Sequence, residues 1–420
     1  MKFVVRAITQ PGARVGNLYS FARLPEVTLE TPLLLLHTRG GSVPHLSHDL
    51  LQMVTKDCQA LQVPVVTVVD SGDSIRAFGK SVAEFSGLKE CLAYITVQDS
   101  GTATPQGYHE KHSLSIWTRG GRRLLDASTY MSSIEAMKPD WFQYLVDADT
   151  NVNSSSKRLQ KSVDRTVDFA KICFSIQQKS EVLKEIPAFI SIVGGYSEKE
   201  RTRCAKLLAE YDAAGYTLDG FHNNGEDAMN LQWEDMKPVL TETIAGLPEN
   251  KPRVFHGAVT PWNVLKLASI GIDIFDATFP WIIAEKGGAL VFPNFINPPC
   301  NPAIHETLPD VKGDVLLDGD QPQTEKNGKT ERMYDINLND KRYFADSKPL
   351  LAECTCYTCR KYSRSYIHHL IVNGELVGPL LLMMHNLHHY IAFFQNIRQA
   401  IKDSQLDKME LNIKTFLQCR

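Results

Sequence analysis

The sequence has no apolar run long enough to cross a bilayer, and Leu33–Leu36 has only the length of a strand. It also has no signal-peptide h-region. Charge of one sign is not in excess, because 45 lysines and arginines oppose 48 acidic residues for a net charge of −3. Any nucleic-acid contact must therefore come from local basic patches.

A disulfide framework is not indicated. The nine cysteines are an odd number, and six of them are scattered: Cys58, Cys91, Cys173, Cys204, Cys300 and Cys419. This pattern fits reduced thiols in the cytosol, which is the compartment we expect. A length of 420 residues allows one large α/β domain with an appendage, or two to three smaller domains.

The first 25 residues contain basic residues but no acidic one, since Glu26 is the first carboxylate. This weakly resembles a transit peptide. The alternation in Phe3–Ile8 favours a folded strand over that reading.

Three cysteines lie within six residues, in Cys354-Thr-Cys356-Tyr-Thr-Cys359, and His385 follows after twenty-five residues in an apolar run. Thiols this close can converge on one tetrahedral ion. We predict one structural Zn²⁺ held by Cys354, Cys356, Cys359 and His385, with no open position for substrate. The alternative is three reduced thiols in a surface turn. Four other histidines compete as the fourth ligand: His368, His369, His388 and His389.

Short apolar runs alternate with segments of helical period. Eight runs are candidate strands: Thr31–Leu36, Val63–Val69, Trp141–Val146, Ala188–Val193, Tyr216–Leu218, Pro252–His256, Ile272–Phe275 and Ala289–Phe292. Helices are predicted between most of them: Lys157–Gln178, Ser197–Ala214, Asp227–Leu247 and Pro261–Ile270. This alternation favours a (β/α)₈ TIM-type barrel over a doubly wound sheet.

Two segments interrupt the alternation. Residues 90–125 have the two-residue period of antiparallel hairpins inserted beside the barrel, and residues 304–332 have the composition of a flexible loop. Pro379–Ile401 is predicted as a long helix that carries His385. We therefore expect a barrel over residues 1–345 and a zinc-binding subdomain with a C-terminal helix over residues 346–420.

Three aspartates follow predicted strands, where function is located in a barrel: Asp70, Asp147 and Asp276. Two close carboxylates there could act as nucleophile and general base in glycosyl chemistry. Each aspartate could equally cap the next helix or turn.

The cysteine motif with His385-Asn386-Leu387, and Gly271-Ile-Asp-Ile-Phe-Asp276 with the later Pro280, resemble the tRNA-guanine transglycosylases. The likeness spans the chain except near 304–332. It implies a (β/α)₈ fold and a closed zinc site. In active members it implies exchange of guanine in a tRNA anticodon through a covalent Asp–ribose intermediate. Asp276 matches the nucleophile position, Asp70 the general base and Asp147 the purine-reading carboxylate.

The chain departs from that family's pattern around the pocket. Trp281-Ile282 replace Thr-Arg, Asp73-Ser74-Ile75 replace Gly-Phe-Gln, Ala148-Asp149 replace Glu-Cys, Val193 replaces the Gln of Gln-Gly-Gly, and Asp219-Gly220-Phe221 replace Gly-Gly-Leu. A pocket that hydrogen-bonds its substrate loses affinity when those partners vanish. The resemblance therefore implies an accessory subunit, with Asp276 and Asp70 as retained positions and no catalytic residue expected. An active transglycosylase that uses Asp276, and an unrelated barrel hydrolase with an open zinc site, remain alternatives.

The resemblance also implies partners. It suggests a heterodimer with the catalytic subunit of a queuine tRNA-ribosyltransferase, a homodimer when alone, binding of tRNA, and association with the mitochondrial surface. Candidate tRNA contacts are three basic clusters: Arg119, Arg122 and Arg123; Lys157, Arg158, Lys161 and Arg165; Arg360, Lys361 and Arg364. Solvated surface charge is the alternative for each cluster.

Overall fold

The computed structural model describes residues 1–294 and 332–419. The loop predicted near 304–332 therefore lies outside the described residues, apart from Arg332. In chain order the strands are β1 (Lys2–Thr9), β2 (Ala13–Tyr19), β3 (Leu29–Thr31), β4 (Leu33–His37), β5 (Ala60–Pro64), β6 (Leu92–Thr96), β7 (Leu114–Thr118), β8 (Gly121–Leu125), β9 (Trp141–Gln143), β10 (Ala188–Ile192), β11 (Gly215–Leu218), β12 (Arg253–Val254), β13 (Ile274–Asp276), β14 (Gly288–Leu290) and β15 (Asp335–Asn337).

Of the five predicted helices, Lys157–Gln178, Pro261–Ile270 and Pro379–Ile401 are found within two residues of their predicted ends. The predicted helix Ser197–Ala214 instead ends at Leu208, and the predicted helix Asp227–Leu247 begins at Trp233. All helices of the described residues follow in chain order. They are α1 (His48–Val54), α2 (Val65–Val68), α3 (Gly72–Phe78), α4 (Val82–Phe85), α5 (Ala127–Met137), α6 (Ser156–Lys179), α7 (Glu198–Leu208), α8 (Trp233–Ala245), α9 (Pro261–Ser269), α10 (Thr278–Glu285), α11 (Tyr357–Lys361), α12 (Arg364–Val372), α13 (Val377–Lys402) and α14 (Leu406–Gln418). Of the described helices, none has both the length and the apolar character needed to cross a membrane.

Eight parallel strands form a closed barrel in the order β4-β5-β6-β9-β10-β11-β12-β13. The barrel closes where β13 pairs with β4, with Ile274 opposite Leu33. β4, β5, β6 and β10 are buried at every position, because side chains fill the barrel interior and helices cover its outside. The predicted (β/α)₈ fold is confirmed.

The predicted strand assignment was wrong in three details. Leu92–Thr96, predicted to belong to a hairpin, is a barrel strand between β5 and β9. Ala289–Phe292 is not a barrel strand, since β14 pairs antiparallel with β15, a sequence-distant partner. Val63–Val69 is a strand only to Pro64 and then becomes α2, so local context overrides the strand preference of its valines. The β7–β8 hairpin is present as predicted.

The N-terminal sheet β1-β2-β3 is antiparallel, which agrees with a folded strand over Phe3–Ile8. Its Leu18 and Leu29 belong to one apolar cluster with barrel-interior residues such as Trp141. Arg14 forms a buried bidentate pair with Asp273, with Nε–Oδ1 at 2.8 Å and Nη2–Oδ2 at 2.5 Å. One of the basic residues near the N-terminus therefore serves to fasten this sheet to the start of β13.

Candidate metal centre and barrel mouth

The four predicted ligand residues lie together between α11 and α13. Their three Sγ atoms and His385 Nδ1 are all within 4.8 Å of one another. From Nδ1, the sulfur atoms of Cys354, Cys356 and Cys359 lie at 3.7, 3.5 and 3.3 Å. Cys356 caps α11, because its Sγ accepts the Cys359 N–H at 3.3 Å. Three thiols and one imidazole that converge in this way form a possible metal site.

His385 is oriented by the strand that lies beside α13. Its Nε2 lies 2.9 Å from the carbonyl oxygen of Leu290, so Nε2 carries the proton and Nδ1 presents a lone pair to the thiols. The next residue, Asn386, accepts the Leu290 N–H at 2.9 Å and donates to Gly288 O at 3.0 Å and Pro280 O at 3.2 Å. The consecutive pair His385-Asn386 thus fixes β14 against α13.

The competing histidines are placed elsewhere. His368 and His389 are buried, and each lies within hydrogen-bond distance of a backbone carbonyl oxygen, at 2.7 and 2.9 Å respectively. His369 and His388 are not members of the grouped set. Among the described residues, His385 is therefore the histidine that faces the three thiols.

Asp147 follows β9 and is completely buried. Its two carboxylate oxygens accept hydrogen bonds from Arg158 and Arg165, which project from the first and third turns of α6. His109 Nε2 lies 3.8 Å from Oδ1, and burial lowers the pKa of this imidazole although Asp147 opposes the shift. The carboxylate at the purine-reading position is therefore occupied by cations of the same chain.

Asp276 ends β13 and is also buried. Oδ2 accepts the Gly257 N–H at 2.8 Å and Gln62 Nε2 at 3.3 Å, while Oδ1 accepts the Thr278 N–H at 3.0 Å. Three donors thus hold this carboxylate in place. These contacts connect the end of β13 to β5 and to the segment that follows β12.

Trp281 and Ile282, at the positions where the resemblance expects Thr-Arg, are both buried. The indole of Trp281 stacks on His37 with ring centres 4.8 Å apart. It packs so closely on Gly101 that a Cβ there would lie 2.1 Å from the ring. Its Nε1 donates to Glu285 at 3.0 Å. Two buried apolar side chains thus stand where the family pattern has a hydroxyl and a guanidinium.

Asp70 lies in a 3₁₀ turn and is about one-third exposed, with 34% of its side-chain surface accessible. Arg123 on β8 pairs with it, with Nη1–Oδ1 at 2.9 Å. The hairpin therefore places a cation on this carboxylate. The prediction that Asp70 follows a barrel strand was wrong, because β5 ends at Pro64 and α2 separates it from Asp70.

Sequence reasoning did not single out His256, which pairs with Asp219 at the mouth. His256 Nδ1 lies 3.4 Å from Asp219 Oδ1, and Asp219 Oδ2 accepts Gln143 Nε2 and Thr217 Oγ1, each at 2.7 Å. Burial alone would raise the pKa of Asp219, but the hydrogen bonds from His256 and Thr217 hold that pKa below its usual value. The available signal was the position of His256 at the end of a predicted strand.

The basic clusters divide into internal and exposed members. Arg364 is buried and pairs with Asp346 at 3.1 Å, and Arg158, Arg165 and Arg123 pair with the aspartates described above. Six cations are exposed and form no ion pair with any described residue: Arg119, Arg122, Lys157, Lys161, Arg360 and Lys361. Of these six, Arg122 donates to Ser115 Oγ at 3.0 Å and to Tyr108 O at 3.1 Å, and the side chains of the other five form no hydrogen bond with a described residue.

Comparison with known proteins agrees with the resemblance. The family model described as queuine tRNA-ribosyltransferase (TGT) matches residues 10–416. Proteins named "queuine tRNA-ribosyltransferase accessory subunit 2" are similar over nearly their full length. The Danio rerio protein is 36% identical over 97% of both chains, the Xenopus tropicalis protein 34% over 95% of both, and the Gallus gallus protein 35% over 95% of this chain and 94% of its own.

Proposed function

Because the chain belongs to the queuine tRNA-ribosyltransferase family, we propose that it is the non-catalytic subunit of a heterodimeric enzyme. The enzyme exchanges guanine for queuine at the wobble position of tRNAs with GUN anticodons. This chain contributes zinc-stabilised dimerisation and tRNA positioning, and its catalytic paralogue contributes the chemistry. The relatives' shared name as accessory subunits supports this assignment.

The observation that carries the proposal is the state of Asp147. A carboxylate that reads a purine must offer free oxygens to the base N–H groups, because unpaired polar partners in such a pocket are costly. Here Arg158 and Arg165 occupy both oxygens. If the two arginines moved away, the completely buried carboxylate of Asp147 would have fewer hydrogen-bond and charge partners, which is energetically costly. The chain's own side chains therefore compete with any base for this position.

The other family positions support the same conclusion. Asp276 is held by three N–H donors, and Asp70 is paired with Arg123. These contacts engage carboxylate oxygens that attack or proton abstraction would use. Trp281 replaces the family's Thr beside them, which further supports loss of base exchange in this chain.

The grouped cysteines and His385 fit Zn²⁺. With Zn–S bonds of about 2.3 Å and a Zn–N bond of about 2.1 Å, a tetrahedron has S–N edges of about 3.6 Å. The observed S–N distances of 3.3–3.7 Å match this value. One bound ion per chain would supply structural cross-linking of α11 to α13. Four protein ligands leave no position for substrate, which argues against a zinc hydrolase.

Two macromolecular partners and one cellular location follow from this function. The catalytic paralogue binds as the other half of the dimer, with a homodimer of this chain as the form adopted alone. tRNA contacts the exposed cations, because local positive charge is sufficient to bind the phosphates of the RNA backbone. The pair acts in the cytosol, with peripheral association with the mitochondrial outer membrane.

The test incubates the purified chain, its catalytic paralogue, and both together with labelled queuine and cognate tRNA. Exchange is expected only from the mixture, and Asp276→Ala in this chain is expected to leave the mixture's rate within about threefold of the wild-type rate. Exchange by the chain alone at the rate of the mixture would instead support the second candidate, an active transglycosylase. Loss of exchange in a folded, paired Asp276→Ala complex would support it equally.

A further inference from the structure

The metal centre and the barrel mouth are connected through α10. This helix begins two residues after Asp276 and ends three residues before β14. Its Trp281 stacks on His37, the last residue of β4, and packs against Gly101 in the loop after β6. A displacement of α10 would therefore move an indole that contacts two separate segments of the mouth.

Asn386, which follows the candidate ligand His385 on α13, contacts α10 directly. Its side chain is completely buried, and Nδ2 donates to Pro280 O at 3.2 Å and to Gly288 O at 3.0 Å. Its Oδ1 accepts the Leu290 N–H at 2.9 Å. Since a buried polar group that loses its partner is costly, this one amide holds α13, α10 and β14 in a fixed relation.

Leu290 links His385 to the amide of Asn386. Its carbonyl oxygen lies 2.9 Å from His385 Nε2, and its N–H donates to Asn386 Oδ1. Two consecutive residues of α13 therefore hold both backbone polar groups of one residue in β14. Because close-packed interiors transmit displacements, a rotation of the imidazole would shift Leu290, the amide and finally Pro280, which directly precedes Trp281.

We propose that Asn386 is a positioning residue through which metal binding at His385 fixes α10, and so couples metal occupancy to the placement of Trp281 in the barrel mouth. A metal on Nδ1 would anchor the imidazole from the nitrogen that does not face Leu290 O, and its removal would free the ring to rotate. The inference rests on the zinc site of the proposed function, and adds to it a connection from that site to the mouth.

Hydrogen exchange measured by mass spectrometry tests this coupling in the purified chain, with zinc bound and after chelation, at a temperature below unfolding. In the wild-type chain, chelation should accelerate exchange in α11, which carries Cys359. It should also accelerate exchange in α10 by about 5- to 150-fold, the usual range for coupling between two sites. α5, which packs on α3 and α6, is the internal reference and should change by less than about twofold. Tryptophan fluorescence of the wild-type chain, after subtraction of that of Trp281→Phe, should change on chelation as well.

Asn386→Ala should break this connection. Chelation should then still accelerate exchange in α11 but change α10 by less than about twofold, a difference that a purely stabilising residue would not produce. Asn396→Ala is the matched control, because it removes a similar bond from α13, from Nδ2 to Asn294 O at 2.7 Å, which goes to the segment after β14 rather than to α10. The control should keep the wild-type response. Should Asn386→Ala fail to fold, Asn386→Ser replaces it, and the wild-type measurement alone still decides the coupling.

Two results overturn the coupling while the zinc site stands. One is a zinc-loaded wild-type chain whose α10 exchange is unaffected by chelation. The other is a response of α10 in Asn386→Ala equal to that of the wild-type chain, which would assign the coupling to apolar packing. Absence of bound zinc from the wild-type chain would instead refute the zinc site of the proposed function, and the coupling with it.

Discussion

Replacement of Cys356 by serine tests the metal centre most directly. Cys356 is the buried member of the three thiols, it caps α11, and its sulfur lies 3.5 Å from His385 Nδ1. Serine keeps the size and the capping oxygen of the side chain but is a poor ligand for a soft divalent ion. The substitution therefore removes metal affinity with little direct change in packing.

The expected magnitude follows from the contacts that the centre connects. Loss of a group that hydrogen-bonds to a metal ligand already weakens metal affinity by about 10–100-fold. Loss of a ligand itself should therefore weaken metal affinity by more than about 100-fold, which corresponds to about 2.7 kcal/mol. Apart from the ligand group and apolar packing, the described residues of the α11 segment and α13 share one buried hydrogen bond, from Thr358 Oγ1 to Leu381 O at 2.8 Å. Such a bond contributes only about 1 kcal/mol. With an unfolding entropy of about 2.1 cal/mol/K per residue over 420 residues, we expect Cys356→Ser to lower the melting temperature by about 3 °C or more.

The assay combines metal analysis, thermal unfolding and pairing with the catalytic paralogue. Wild-type protein should contain one zinc per chain, and Cys356→Ser much less, with reduced soluble yield and pairing. Cys419→Ser is the control, because Cys419 is exposed and outside the cluster. A Cys356→Ser protein with wild-type melting temperature and normal pairing would refute the structural role of the centre.

Three further predictions concern stability. A zinc chelator should lower the melting temperature of the wild-type chain and change that of Cys356→Ser little; equal shifts in both would mean that the chelator acts elsewhere. Arg14→Met should cost about 3–5 kcal/mol in urea unfolding, because it leaves Asp273 buried without its bidentate partner; a loss below about 1 kcal/mol would show that the pair is replaceable. Asn386→Ala should cost about 1–3 kcal/mol and increase hydrogen exchange at Leu290, whose N–H loses its acceptor; unchanged exchange at Leu290 would contradict this.

Long-range pairing explains where the predicted topology failed. The apolar run Leu92–Thr96 and the apolar run Ala289–Phe292 have the same local character, and each was assigned to the wrong sheet. Periodicity reports whether a segment is buried as a strand, but its partner depends on contacts that are distant along the chain. β14 pairs with β15, and the paired residues Leu290 and Asp335 are forty-five positions apart in the sequence. No local pattern carries that information.

The sequence by itself determined the class of fold, the family and the grouping of Cys354, Cys356, Cys359 and His385. These rest on strand and helix periods and on ligand spacing, which are short-range properties of the chain. Only the tertiary structure decided the state of the barrel mouth. Asp147 looks the same in the sequence whether its oxygens are free or paired, because Arg158 and Arg165 reach it only once α6 packs beside β9.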